Sequence, residues 1–290
     1  TSSPPPTKNP PDFQSFTVPG FSVNITAVNL AGEAVQNVTL RAFEDGQSAA
    51  NATSDPDGLA QLWLEAGNYM CDAYFMEQKV RDRFPFEING TASFSLDCNL
   101  TNLKVVVVAL KDGVEIRIPE IKIYVISQPV NQTFTTDING TTVVHSLLPN
   151  VTYALNFSSY DAIFNMTTIP SLIVNEAAVA WFNVTIFCPT FTLQVNVTNP
   201  NSNSQPINNA IVKVQELKGG LYYEGATDNG TVVFGCVLGK YYVEVLVNGI
   251  KLNETTVDLI NVNPTVFFSC KLYGLDVSVR VVDYFGQPIP

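Results

Sequence analysis

Apolar and polar residues alternate at four places along the chain, beginning at Phe21, Leu103, Leu193 and Leu275. Successive side chains of a β-strand point to opposite faces, so this period of two predicts strands with one buried and one solvent-facing side. No useful length of the sequence shows the i, i+3, i+4, i+7 apolar spacing of an amphipathic helix. The pattern therefore predicts an all-β protein.

The same landmarks follow each alternating strand. A turn leads to an apolar residue at equivalent positions, namely Val35, Ile116, Ile207 and Ile289. A later glycine-containing turn is led by an aspartate in three blocks, at Asp55, Asp137 and Asp228. A tyrosine then opens another strand, at Tyr69, Tyr153 and Tyr241. Because aspartate, asparagine and glycine supply the left-handed backbone of tight turns, the chain contains one strand-and-turn unit three times and begins it a fourth time.

About seven short strands per repeat predict antiparallel β-sandwich domains in an elongated tandem array. The sandwiches are expected at residues 21–100, 101–189 and 190–272. Residues 1–20 are rich in proline and are expected to form an extended tether. Residues 273–290 repeat an opening strand, so they are predicted to begin a fourth domain or to act as a donor strand that completes a neighbouring subunit. In either case Val277, Val279 and Val281 are expected to be covered in the native material.

Acceptor motifs for N-glycosylation, Asn-x-Ser/Thr with x other than proline, are unusually dense. Fourteen of the 27 asparagines lie in such a motif, whereas chance pairing at this composition predicts roughly 4. We therefore interpret most of them as true acceptors that face solvent, which places the chain outside the cell. The acceptors are Asn24, Asn37, Asn51, Asn89, Asn99, Asn131, Asn139, Asn150, Asn156, Asn165, Asn183, Asn196, Asn229 and Asn253.

The five cysteines also indicate an oxidising compartment. Three of them occupy the same place on the closing strand of each repeat, at Cys98, Cys188 and Cys270. In the first domain we predict a disulfide between Cys71 and Cys98, which would restrict the unfolded chain. In the third we predict one between Cys236 and Cys270. The partner positions of Cys188 hold leucine, so it is expected to be a buried free thiol.

Composition and charge exclude several classes of protein. Hydrophobic residues make up 46% of the chain and charged residues 14%, which provides enough apolar surface for packed cores. The net charge of -11 repels phosphate backbones, so nucleic acid is excluded as a partner. No run approaches the roughly 20 apolar residues of a membrane helix, and no membrane span is expected in this stretch. We expect an extracellular, cell-surface protein without a cofactor.

The candidate catalytic groups do not form a recognisable constellation. His145 is the single histidine, so it has no second histidine with which to hold a metal, and we interpret it as structural. The acidic pairs, Asp55 with Asp57 and Glu115 with Glu120, lie at turns or on solvent faces. The turn aspartates are interpreted as turn-forming residues in preference to Ca²⁺ ligands, because they lack the dense spacing of a calcium loop. The sequence predicts no catalytic or metal-binding residue, and hence no enzyme.

This order of landmarks resembles the prealbumin-like modules, which include the B-type repeats of bacterial collagen adhesins and the regulatory-like domain of carboxypeptidases. The resemblance covers all three repeats and implies a prealbumin-like or Ig-like sandwich that acts as a stalk unit. Many adhesin repeats carry a Lys–Asn isopeptide bond from the first strand, but here only Lys104 lies near that place, and no such bond is predicted. The dense acceptor motifs and few charges are also similar to archaeal surface-layer or extracellular filament glycoproteins.

Together these features favour a structural glycoprotein of the cell surface, a repeat unit of a surface layer, stalk or extracellular filament. Its expected partners are N-linked glycans and copies of itself or another surface protein. The alternative is an adhesin or ligand-binding module presented on a stalk, with its ligand surface on loops such as 127–132 or 199–205. A third hypothesis, an accessory region of an enzyme whose catalytic domain lies outside this stretch, is less favoured.

Overall fold

Six β-sheets, arranged as three pairs, make up the described part of the computed structural model. The structure describes residues 20–127, 131–169, 179–218 and 220–273, together with residues 281, 284, 285 and 287. In each pair the inner faces pack together around one apolar core, which makes a two-layered sandwich. The predicted class, an all-β protein built of sandwich domains, is confirmed.

The strands follow the same order in the three domains. In the first they are β1 (Phe21–Val28), β2 (Thr39–Glu44), β3 (Gln47–Thr53), β4 (Leu59–Leu64), β5 (Gly67–Phe75), β6 (Gln78–Ile88) and β7 (Ala92–Asp97). In the second they are β8 (Thr101–Lys111), β9 (Val114–Arg117), β10 (Lys122–Ile126), β11 (Asn131–Thr135), β12 (Thr141–Leu147), β13 (Tyr153–Ser159), β14 (Ala162–Ile169) and β15 (Trp181–Phe187). In the third they are β16 (Thr190–Asn199), β17 (Gln205–Pro206), β18 (Ile211–Glu216), β19 (Tyr222–Ala226), β20 (Thr231–Val237), β21 (Gly239–Val247), β22 (Ile250–Leu259) and β23 (Thr265–Ser269).

The first strand of each domain is the centre of one sheet, which we call the opening sheet. It pairs antiparallel with β4, β12 or β20 on one side and parallel with β7, β15 or β23 on the other. The facing sheets have the orders β3-β2-β5-β6, β11-β10-β13-β14 and β19-β18-β21-β22. Alternation buries one side of each opening strand, so that Val23, Ile25 and Ala27 of β1 are fully buried.

A glycine of the Asp-led turn is pressed against the opening strand in every domain. Gly58, Gly140 and Gly230 have positive φ angles, which side chains disfavour. A Cβ atom on them would also lie 2.6 to 2.9 Å from a carbonyl oxygen of the opening strand. Those oxygens belong to Ala27, Val107 and Val197. Glycine is therefore required at this position by both the backbone angle and the close approach.

The same carbonyl oxygens define which residues are equivalent between domains. They accept hydrogen bonds from the amides of Val35, Ile118 and Ile207. The predicted alignment of Val35 with Ile116 is therefore wrong, and Ile118 is the equivalent residue. The cause is the longer β8–β9 hairpin, in which Ile116 pairs with Ala109 and the register moves by two residues.

A buried hydroxyl stands directly before the turn aspartate in each domain. Ser54 Oγ donates to the carbonyl oxygen of Val35 at 2.7 Å and accepts from the amide of Val38 at 2.9 Å. Thr136 and Thr227 make the same two bonds in their own domains, at distances between 2.6 and 3.1 Å. These hydroxyls satisfy buried backbone groups at the entry to the facing sheet, where no strand partner is available.

The described cysteines are all buried free thiols, and the predicted disulfide between Cys71 and Cys98 is absent. Cys71 lies on β5 of the facing sheet, whereas Cys98 follows β7 of the opening sheet. A disulfide between them would have to bridge the two sheets across the core, and in the folded chain the two thiols are not bonded to each other. The thiols donate instead to backbone carbonyls, Cys71 to that of Asp72 at 3.6 Å and Cys98 to that of Leu96 at 3.9 Å.

The second predicted disulfide, between Cys236 and Cys270, is also absent. The two residues lie on opposite sides of β16, where Cys236 pairs with Phe191 and the amide of Cys270 binds the carbonyl of Thr198. Because a strand rises about 3.3 Å per residue, these positions are roughly 23 Å apart along β16. The two cysteines are therefore too far apart to form a disulfide. Cys188, in the second domain, is likewise a buried free cysteine.

Two predicted segments lie largely outside the described residues. Of the proline-rich tether, residues 1–20, the structure describes Gly20. Of the three valines expected to be covered in the segment 273–290, it describes Val281, which is exposed in the single chain. The covering of this segment by a further domain or a neighbouring subunit stays a prediction.

Candidate functional site

The first and second domains share a closed polar contact. Asn29 Nδ2 donates to Asn102 Oδ1 at 3.0 Å, and Asn102 Nδ2 donates to Glu33 Oε2 at 2.8 Å. Asn102 Oδ1 also accepts the amide of Ser146 at 3.0 Å, and His145 Nδ1 lies 2.8 Å from Glu33 Oε2. Asn29 is 2% exposed and Asn102 is 0% exposed, so water competes little for these bonds.

The loop after β1 is folded so that it presents the carboxylate of Glu33 to the second domain. Asn29 Oδ1 accepts the amides of Ala31 and Glu33 at 2.9 and 3.0 Å, which closes the loop on itself. Burial raises the pKa of Glu33, but hydrogen bonds from His145, Asn102 and Asn29 outweigh it and hold the pKa below its ordinary value. The charged form of Glu33 is thus the form that this junction binds.

Apolar residues accompany the polar contact. Leu148, which follows β12 in the second domain, belongs to the core of the first domain. Leu100, in the connection between the domains, is fully buried, and its carbonyl oxygen accepts the amide of Leu30 at 3.0 Å. The connection is therefore packed in the core of the first domain and is not a solvent-exposed linker.

The junction between the second and third domains follows the same plan. Val237 and Leu238, at the end of β20, belong to the core of the second domain. Lys111 Nζ donates to the carbonyl oxygen of Tyr222 at 2.7 Å and lies 4.8 Å from the ring centre of Tyr223. In both junctions the buried apolar residues that the following domain contributes, Leu148 or Val237 with Leu238, come from the strand that pairs antiparallel with the opening strand or from the residue just after it.

Charged and aromatic residues complete this second junction. Tyr160 donates its hydroxyl to Glu216 Oε1 at 2.9 Å, and Lys218 forms an ion pair of 2.7 Å with Glu120. Lys218 Nζ also lies 4.8 Å from the ring centre of Tyr160. Burial, together with the neighbouring carboxylate of Glu216, raises the pKa of Tyr160, so its hydroxyl stays protonated as a donor.

The fourteen predicted glycan acceptors all lie among the described residues, and none of them is buried. Thirteen make no hydrogen bond from Nδ2 to another described residue, the exception being Asn253, whose Nδ2 lies 3.4 Å from the carbonyl oxygen of Ser269. The structural asparagines outside the motifs, Asn29, Asn102 and Asn199, all donate from Nδ2. N-glycans are attached at Nδ2, and this atom has no described partner in thirteen of the fourteen acceptors, whereas the three buried asparagines outside the motifs use it in a hydrogen bond.

Two of the turn aspartates that were considered as Ca²⁺ ligands, Asp55 and Asp137, accept hydrogen bonds from backbone amides. Asp55 Oδ1 accepts the amides of Asp57 and Leu59 at 3.0 and 2.9 Å. Asp137 Oδ1 accepts the amide of Thr141 at 2.8 Å, and this bond lowers the pKa of Asp137. Among the described residues there is no group of three or more His, Cys, Asp or Glu side chains that could hold a metal ion.

The remaining candidate groups lie apart from one another. Glu115 is exposed on β9, whereas Glu120 is engaged by Lys218 across the junction. His145 is exposed at a bulge of β12. The residue that corresponds to the buried Phe234 of the third domain is Val144, because Val144 pairs with Leu103 and Phe234 pairs with Leu193, the first leucine of each opening strand. Lys104 is exposed on the outer face of the opening sheet.

A groove with a volume of about 760 Å³ crosses the outer face of the first facing sheet. Its lining includes Met70, Asp72, Arg83 and Pro85. Arg83 has a positive φ of 46° at a bulge of β6, and its amide donates to Asp72 Oδ1 at 2.9 Å. Two loops were predicted as alternative ligand surfaces. In the loop 127–132 the described residues are 127, 131 and 132. The loop 199–205 contains a 3-10 turn, Pro200–Ser202, which is capped by Asn199.

No family model and no curated protein matches this chain. Several solved structures are similar to it. The Bacillus anthracis TIE protein has 14% identity and a TM-score of 0.39 over 87% of this chain and 51% of its own. A streptococcal ancillary pilin has 11% identity and a TM-score of 0.32 over 87% of this chain and 99% of its own. GBS52, the minor pilin of Streptococcus agalactiae, has 13% identity and a TM-score of 0.29 over 62% of this chain and 100% of its own.

This chain spans about half the length of the TIE protein. Within the part of the chain that is described, no helix is long and apolar enough to cross a membrane.

Proposed function

We propose that this chain is an extracellular structural glycoprotein, a stalk or filament segment in which successive sandwiches are held as one stiff unit. The observation that carries the proposal is the recurring junction. At both boundaries apolar residues of the following domain enter the core of the preceding one, beside a closed polar or charged contact. Domains joined by exposed linkers reorient freely, whereas shared cores resist bending.

Glycosylation is the second part of the proposal. None of the acceptors is buried, and thirteen of the fourteen have an Nδ2 without a hydrogen-bond partner among the described residues. The net charge of -11 favours a soluble protein whose copies repel one another. Within this class we favour a self-assembling surface layer or filament, whose partner is another copy or another surface protein. Residues 273–290 would supply the next domain or a donor strand, and no enzymatic role is proposed.

The test uses the chain secreted from a host that performs N-glycosylation. Intact mass before and after glycosidase treatment should show more than half of the fourteen acceptors occupied. Small-angle scattering should be fitted by one elongated conformer. Fewer occupied sites would contradict the glycoprotein assignment, and scattering that requires a flexible ensemble would contradict the stiff segment. Electron micrographs of native material should show an ordered lattice or fibre.

The groove on the first facing sheet favours a second candidate, an adhesin that binds a ligand in its first domain. It combines the apolar side chain of Met70 with the cation of Arg83, a common arrangement at recognition surfaces. A monodisperse monomer that retains a sugar or protein ligand would support this candidate. Loss of that ligand in Arg83→Ala, with retention in the exposed-site control Arg117→Ala, would locate it in the groove.

A further inference from the structure

Both tryptophans of the chain lie on the outer faces of opening sheets. Trp63 on β4 is 65% exposed and Trp181 on β15 is 39% exposed. In the third domain the outer face of the opening sheet carries Phe267 on β23, which is 75% exposed. An aromatic ring that is exposed to water does not gain the free energy that burial would give it. Patches of exposed apolar residues often mark contact surfaces. The same face of all three domains therefore carries an aromatic ring that lacks a cover.

Each ring stands beside an acceptor asparagine borne on a strand of the same sheet. In the first domain Asn24 on β1 pairs with Gln61, and Trp63 lies two residues further along β4. Diagonal cross-strand positions on one face are about 7 to 8 Å apart, within the reach of an aromatic side chain. In the second domain Asn183 and Trp181 are two residues apart on the same face of β15.

The third domain has the most direct geometry. Asn196 on β16 is in register with Phe267 on the neighbouring parallel strand. Its Oδ1 accepts hydrogen bonds from Thr231 Oγ1 at 2.9 Å and from Gln194 Nε2 at 3.2 Å. The amide oxygen of Asn196 is thereby held on one side, and its Nδ2 has no partner among the described residues.

We propose that N-glycans at these three asparagines fold back onto the adjacent rings, so that the first pyranose covers an aromatic face. The pairs are Asn24 with Trp63, Asn183 with Trp181 and Asn196 with Phe267. The inference rests on the proposed glycosylation and adds to it a defined docking surface for the sugar. The C–H groups on one face of a pyranose are weakly positive and an aromatic face is negative, so the two attract while both lose contact with water.

The attachment itself is a glycosyl transfer from a phosphate-linked sugar donor. The bond between Nδ2 and the anomeric carbon forms as the bond from that carbon to the phosphate oxygen breaks, and the Nδ2 proton leaves. We favour a sugar over a second copy of the chain as the cover, because each of these three rings has an acceptor beside it: two residues away on the same strand, diagonally across the neighbouring strand, or directly in register. A bulky glycan there would also keep another protein surface away from the sheet.

Tryptophan fluorescence tests the inference, because both tryptophans are in the proposed pairs. The secreted, glycosylated chain is compared with Asn24→Gln and Asn183→Gln, and with Asn229→Gln, which removes an acceptor from the domain that has no tryptophan. We expect each of the first two variants to move the emission to longer wavelength and to raise the acrylamide quenching constant roughly twofold, since a ring regains accessible surface. Asn229→Gln should change neither. A thermodynamic cycle with Trp63→Ser adds a second readout, in which the glycan at Asn24 raises the urea midpoint only when Trp63 is present.

Peptide mass spectrometry on the same samples separates the outcomes. If Asn24 and Asn183 are unoccupied, the glycosylation at these sites and the inference that rests on it are both overturned. If they are occupied and the quenching constants do not change in the variants, the inference is overturned while the glycosylation stands. If the rings stay shielded in the variants and sedimentation shows that the chain dimerises, a second copy of the chain is the cover. That result would also overturn the inference that a glycan covers the rings.

Discussion

Asn29 of the first domain donates a hydrogen bond from Nδ2 to Oδ1 of Asn102 in the second domain, at 3.0 Å and away from water. The two residues are 73 positions apart in sequence. The same amide oxygen of Asn102 accepts the backbone amide of Ser146, and its Nδ2 binds Glu33. The side chain of Asn102 thus joins the start of β8 to the loop after β1 and to the end of β12.

Replacement of Asn102 by alanine is expected to loosen this junction. The change leaves the amide of Ser146 without its acceptor and Asn29 Nδ2 with Glu33 as its remaining acceptor, at a cost of about 1 to 3 kcal/mol in the free energy of unfolding. Urea titration should show this loss, and scattering should show a broader distribution of domain orientations. The control is Asn68→Ala, at an exposed residue outside the junction. Equal stability and shape in both variants would contradict the structural role of Asn102.

The stability of the junction is expected to depend on pH through Glu33. Because its pKa in the folded chain lies below the ordinary value of 4.5, Glu33 binds fewer protons when folded than when unfolded. Its contribution is therefore complete above about pH 4.5 and is lost as the pH falls through the folded pKa. The difference in urea midpoint between the parent chain and Glu33→Gln should be largest near neutral pH and should shrink below pH 4.5. If the difference in urea midpoint became larger as the pH was lowered, the proposed contribution of the charged Glu33 would be contradicted.

Each buried hydroxyl before a turn aspartate is expected to stabilise its domain. Thr136→Val keeps the shape of the side chain but removes the donor to Ile118 and the acceptor for Ile121, which should cost about 1 to 3 kcal/mol in the free energy of unfolding. The neighbouring change Thr135→Val, on the exposed side of β11, is the matched control and should be near neutral. Thermal or urea unfolding measures both, and equal effects would show that the hydroxyl bonds contribute nothing specific.

The five cysteines are expected to be unreactive in the folded chain. Burial raises the pKa of Cys71, Cys98, Cys188 and Cys236 to about 12 and raises that of Cys270 in the same direction. Since the thiolate is the reactive form, a thiol reagent at pH 8 should label none of them before unfolding and all five afterwards. A peptide map that contains a cysteine pair, or fewer than five thiols after unfolding without reductant, would restore the disulfide hypothesis.

Local patterns predicted much of the candidate surface. The motif around Asn196 is readable because acceptor chemistry depends on three consecutive residues. Its alternation with Val195 and Val197 correctly predicts which residues point inward, since strand geometry has a period of two. The neighbour Phe267 was not predictable in this way, because no local rule states which strand lies in parallel register with β16.

The sequence by itself determined the all-β class, the turn glycines and the acceptor motifs, because side-chain alternation, positive φ and transferase recognition act over a few residues. The tertiary structure alone decided that β16 separates Cys236 from Cys270, that Ile118 takes the place of Ile116, and that Asn29 meets Asn102. Those outcomes depend on which strands become neighbours and on how one domain docks on the next. Contacts between residues that are distant in the chain decide these outcomes, so no short stretch of sequence encodes them.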